Sequence, residues 1–70
     1  MRLSRHAKNE MRLYGISRAD LEAAMSRPIS TDIDEKGNPR LTGVDSGGRA
    51  IIVVIAGDDQ DFVITTFPDD

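Results

Sequence analysis

The chain has 70 residues, one histidine, no cysteine and a formal net charge of −3. Such a length suits one domain, residues 1–70, that buries only about 60% of the surface its unfolded form would expose; with no cysteine and a lone histidine, neither disulfides nor a zinc site of Cys and His ligands can support it. The charge is unevenly divided, because residues 1–27 hold six cations against three acids and residues 28–70 hold three against nine, which suggests a basic helical face for an anionic partner on an acidic body.

Leu3, Ala7, Met11 and Tyr14 recur at the spacing of one helical face, with Ser4 as N-cap and Gly15 just past the end. The first helix is therefore predicted from Arg5 to Tyr14. Ser17 starts the second, with Asp20 placed for a capping box and Ile16 placed to staple against Leu21. Leu21, Ala24 and Met25 continue its apolar face, and Pro28 closes it by pushing Arg27 out of the helical region.

Beyond Pro28 the period changes to two. Ile29, Thr31 and Ile33 share one face and Ser30, Asp32 and Asp34 the other, so this strand is expected to have one wet face. A turn at Glu35–Asn38 leads into a weaker strand from Pro39 to Asp45, and Ser46-Gly47-Gly48 turns the chain again. Ile51 to Ile55 is a β-branched run without polar alternation, as expected of a central strand covered on both faces. Gly57–Gln60 makes the last turn before a strand from Phe62 to Phe67. Connections of three to four residues are too short for parallel crossovers. The expectation is an α+β domain with two N-terminal helices packed on one face of a four-stranded antiparallel β-meander.

The longest apolar run, Ala50 to Ala56, falls far short of the roughly 18 residues of a membrane span. Residues 1–15 lack the apolar stretch of a secretion signal. The chain reads as soluble and cytoplasmic, with no membrane partner, and the lack of cysteine agrees with a reducing compartment.

His6 lies in the first turn of the first helix, beside Arg5 and Lys8 and near Arg2 and Arg12. Free amides at a helix start, the helix dipole and several cations together can hold a phosphate. The plainer alternative is that His6 packs at the helix–sheet junction or caps a carbonyl. Asp32-x-Asp34-x-Lys36-Gly37 is not a calcium loop, since Lys36 occupies a ligand position and Gly43 stands where the bidentate Glu belongs. Asp58, Asp59 and Asp61 read as solvated turn residues, and no metal or cofactor is expected. Thr65 and Thr66 put their hydroxyls on opposite faces of the last strand, so that one can face whatever binds between helix and sheet.

Ser4-Arg5-His6-Ala7, Met11, Tyr14-Gly15-Ile16-Ser17, Gly48-Arg49 leading into Ile51 to Ile55, and Val63-Ile64-Thr65-Thr66 together resemble the DUF4258 family of small prokaryotic proteins. That family is similar in layout to the BrnT and RelE toxins, a group that includes metal-independent ribonucleases. The resemblance implies a toxin-like protein of a toxin–antitoxin system, with RNA as substrate and an antitoxin protein as partner. Cleavage would proceed by attack of the 2′-hydroxyl on the adjacent phosphate, with His6 as base or acid, Arg5, Lys8, Arg12 and Arg49 as phosphate ligands, and Thr65 orienting the substrate. The chain departs from the family pattern at Glu10 and Tyr14, where basic residues are usual, so its helix carries less charge for RNA. A second reading from the residues themselves is a non-catalytic protein-binding module or homodimer that uses an exposed strand, Ile29 to Asp34 or Arg40 to Val44, as a pairing edge.

Overall fold

In the computed structural model, which describes residues 1–70, each helix begins where a side chain satisfies its free amides. Helix α1 (Arg5–Tyr14) starts at Ser4, whose Oγ accepts the Ala7 N–H at 2.9 Å, and ends at Gly15, whose φ of 67° allows the left-handed turn that stops it. Helix α2 (Arg18–Ser26) starts in a full capping box: Ser17 Oγ accepts the Asp20 N–H at 3.1 Å, and the Asp20 carboxylate accepts the Ser17 N–H at 2.8 Å. Both helices occupy the span expected from sequence.

Asp20 has a second task. Its other oxygen accepts the backbone N–H of Ser46 at 3.2 Å and the Ser46 hydroxyl, which ties the start of α2 to a turn of the sheet. The Ser17 amide, followed by the Ser46 hydroxyl, holds the Asp20 carboxyl down to about 2 from its ordinary 3.8. A carboxylate depressed by folding stabilises the native state above its unfolded pKa and loses that contribution as pH falls through the folded one. Asp20→Asn should therefore melt at a lower temperature than wild type at neutral pH, and the two melting temperatures should converge between about pH 4 and pH 2. Thermal unfolding followed by circular dichroism across that window checks it.

The sheet contains β1 (Arg2–Leu3), β2 (Pro28–Ile33), β3 (Pro39–Val44), β4 (Ala50–Ala56) and β5 (Asp59–Pro68), in the spatial order β1-β5-β4-β3-β2. Strands β2 to β5 form the antiparallel meander read from the short turns. The expectation of four antiparallel strands is corrected by β1, which pairs parallel to β5 with Arg2 opposite Phe62 and Leu3 opposite Val63 and makes the sheet five-stranded and mixed. A parallel neighbour is allowed here because both helices and three strands lie between the two segments. Leu3, read as part of the first helical face, is instead a strand residue packed against the core.

Ala7, Ile16, Leu21, Ala24, Leu41, Ile51, Val53, Ile55 and Val63 form one apolar cluster between the helices and the sheet. Helix α1 lies on β5, and α2 lies on β3 and β4. Two helices about 10 Å across can cover about four strands spaced 4.8 Å apart, so a fifth strand is left bare. That strand is β2. It was expected to bury the face carrying Ile29, Thr31 and Ile33, yet all six of its residues are exposed, Ile29 at 66% and Ile33 at 61%. Central strand β4 is largely buried, with Ile52 half-buried on the side away from the helices. No helix is long and apolar enough to cross a membrane.

Candidate functional site: a cleft on the sheet face away from the helices

The two faces of the sheet are distinguished by its cross-strand rows. Leu41, Val53 and Thr66 stand in one row, and Leu41 and Val53 belong to the core cluster. The next row, Arg40, Val54 and Thr65, must then project from the opposite face. Strict alternation along β5 would have put Thr65 on the core side with Val63. A β-bulge prevents this: Val63 pairs with Ile55 and Thr65 with Val54, leaving Ile64 as the extra residue. The bulge sends Thr66 inward, where it is fully buried and its hydroxyl donates to the Ile52 carbonyl at 2.8 Å, and turns Thr65 outward.

Ser4 anchors the bulge. Its Oγ donates to the Ile64 carbonyl at 2.6 Å while its N–H donates to the Val63 carbonyl at 3.0 Å, so the residue that caps α1 also fixes α1 to the irregular point of β5. His6 follows two residues later and is thereby brought beside Thr65. A cleft of about 440 Å³ opens there, lined by His6, Val54, Ile64, Thr65, Arg40 and the β2–β3 turn residues Asp34, Glu35, Lys36 and Asn38.

The turn that forms the far wall is built on Asp34. Its Oδ1 accepts the N–H groups of Lys36 at 2.9 Å and Asn38 at 2.8 Å, and these backbone bonds, Asn38 first, hold its carboxyl below the usual range. Asn38 in turn accepts the Gly57 N–H at 3.0 Å, which joins this turn to the next hairpin. Arg40 makes a two-pronged bond to Asp32, Nε to Oδ1 at 3.0 Å and Nη2 to Oδ2 at 2.7 Å. This pairing raises the Arg40 pKa and lowers that of Asp32. Lys36 forms no ion pair.

Of the residues singled out from sequence, His6 and Thr65 meet in the cleft. They meet on the opposite side of the sheet from the helix–sheet junction where a ligand was expected. Arg5, Lys8 and Arg12 are exposed along one stripe of α1, outside the cleft lining and free of ion pairs. Arg49 lies elsewhere, in the turn between β3 and β4. Its Nε bonds the buried Asp45 carboxylate at 3.2 Å and its Nη1 the Tyr14 carbonyl at 3.0 Å, so it fastens that turn to the end of α1. Two acids of the last hairpin are engaged, Asp59 with Arg2 and with the Asp61 N–H, and Asp61 with the amino group of Met1.

Sequence reasoning did not select Arg40, Lys36 or Asn38. One signal was present for Arg40: it stands eight residues after Asp32 across a tight turn, the antiparallel spacing that sets opposite charges side by side.

The pattern that unites these positions extends over residues 3–68, which match DUF4258, a domain of unknown function. The chain belongs to the DUF4258 family. Its matched span includes the cap at Ser4, His6, the bulge at Ile64 and Thr65, so the whole cleft lies within the DUF4258 domain. Neither a search of curated proteins nor one of solved structures found a match.

Proposed function

We propose that this DUF4258 protein is a toxin-like ribonuclease of the BrnT and RelE type, cleaving RNA in the cleft at His6 and working opposite an antitoxin protein. The observation that carries the reading is the convergence of His6 and Thr65, from opposite ends of the chain, with Lys36 and Arg40 in one open cleft. In the reaction the RNA 2′-oxygen bonds to the adjacent phosphorus as the bond to the 5′-oxygen breaks. The hydroxyl proton leaves to a base, and an acid returns a proton to the departing 5′-oxygen. His6 is the one imidazole available for either transfer. Lys36 and Arg40 oppose the charge that grows on the non-bridging oxygens, and Thr65 offers a hydroxyl to position the phosphate or ribose. The stripe of Arg5, Lys8 and Arg12, beside the cleft on α1, neutralises phosphates of the flanking strand, and binding through it should weaken as salt rises.

The test is incubation of purified protein with a mixed RNA pool and with DNA of the same sequences, at low salt and in chelator. RNA fragments ending in 2′,3′-cyclic phosphate, with the DNA left whole, are the expected result, because the nucleophile is the 2′-hydroxyl. Intact RNA in the presence of correctly folded protein would overturn the proposal.

A further inference from the structure

The bulge at Ile64 turns a second β5 side chain outward together with Thr65. Thr66 is fully buried on the core side, so Phe67 projects with Thr65 from the face away from the helices. There it stands opposite Ile52 of β4, and Ile52 stands opposite Thr42 of β3. Phe67, Ile52 and Thr42 are half-buried and lie outside the core cluster. The next row holds Ala50 and Val44, the latter 40% exposed. None of these five residues is charged. Strand β1 flanks β5 only at Phe62 and Val63, so no strand lies beyond Phe67 on that side of the sheet.

This patch borders the cleft directly. Arg40, Val54 and Thr65 line the cleft and form the row beside Thr42, Ile52 and Phe67. Phe67 follows Thr65 at about 6.8 Å along the strand, two residues at 3.4 Å each, a distance that one nucleotide bridges. Cations thus stand on one side of Thr65, at Lys36 and Arg40, and an uncharged surface bearing an aromatic ring stands on the other. A nucleotide divides in the same way between its phosphate and its base. Bases stack on an aromatic face with little regard to their identity, because every base has a π-face. In a duplex those faces are already covered by neighbouring base pairs. We infer that Phe67 is the stacking platform for the base next to the scissile phosphate, with Ile52 and Val44 extending the apolar surface, so that the substrate class is single-stranded RNA. The inference rests on the reading of the cleft as an RNA site. Phe67 takes no part in proton transfer and acts on affinity.

The chain has no tryptophan, so Phe67→Trp supplies a single indole fluorophore at the platform. The probe is a 2′-O-methyl oligoribonucleotide, which lacks the nucleophile and stays whole, offered at low salt as a single strand or annealed to its complement. The single strand should quench the emission of Phe67→Trp saturably and the duplex far less. Ile33→Trp, an exposed position on β2 in the row next to Leu41 and on the core side of the sheet, should be little quenched by either. Phe67→Leu, which keeps apolar bulk and removes the ring, should bind the single strand about tenfold more weakly or worse with an unchanged circular dichroism spectrum. Saturable quenching by the uncleavable strand, with natural RNA left intact by the wild-type protein, would support the platform while removing the ribonuclease reading. Equal affinity of Phe67→Leu and wild type, with Phe67→Trp unquenched, would overturn the platform whether or not RNA is cleaved, and would leave this face to a protein partner. Absence of any binding to the wild-type protein would overturn both.

Discussion

Gly43→Ala should cost at least about 3 kcal/mol and leave a large part of the protein unfolded, although it adds a single methyl group. Gly43 sits on β3 directly under α2, and a Cβ built there collides with the Ala24 carbonyl oxygen and falls 2.8 Å from its carbonyl carbon. These are backbone atoms of the last turn of α2, which cannot rotate away as a side chain could. The methyl would have to lift α2 off the sheet and with it the buried Leu21 and Ala24. A domain of this size has on the order of 4–10 kcal/mol of stability in total, so the loss is large in proportion. Gly47→Ala is the matched control, since its Cβ would meet only the Asp45 carboxylate at 3.5 Å, an ordinary contact. Urea unfolding should show Gly43→Ala with a much lower midpoint and Gly47→Ala close to wild type; comparable midpoints would refute the close helix–sheet approach.

If the protein cleaves RNA as proposed, His6→Ala should have the second large effect, a loss of about 10²–10⁴-fold in cleavage rate, the range supplied by one positioned acid or base. His6 is exposed at the rim of the cleft and outside the core cluster, so the substitution should move stability by no more than about 0.5 kcal/mol. Rate and fold are therefore separable. Single-turnover cleavage of a short RNA by both proteins, with thermal melting alongside, decides the matter. A variant that retains its fold and cleaves at the wild-type rate removes His6 from the chemistry; one that binds RNA as before but cleaves far more slowly places it there.

The helix boundaries were legible because caps act over three or four residues. Ser4 and Gly15 bound α1, and Ser17, Asp20 and Pro28 bound α2, through contacts with their immediate neighbours. The meander was legible for a similar reason, since turns of a few residues leave consecutive strands no choice but antiparallel pairing. The candidate site was half legible. His6 and Thr65 could be chosen by residue type and by position in a helix start and a strand.

Their meeting could not be read from sequence, because it depends on Ser4 bonding the Ile64 carbonyl 60 residues away and on the bulge that reverses the direction of Thr65. A strand of two residues, such as β1, has no period to read, and its pairing with β5 exists only once the helices have carried the chain around. Likewise Ile29, Thr31 and Ile33 carry the alternation of a buried strand, but whether that face is covered depends on how far two helices reach across five strands. By itself, then, the sequence determined the two helices, the strands β2 to β5 and their order, which follow from forces between near neighbours. The tertiary structure alone decided which sheet face holds the cleft, which cations line it and which edge stays open, because those outcomes depend on contacts between distant residues and on the relative widths of helices and strands.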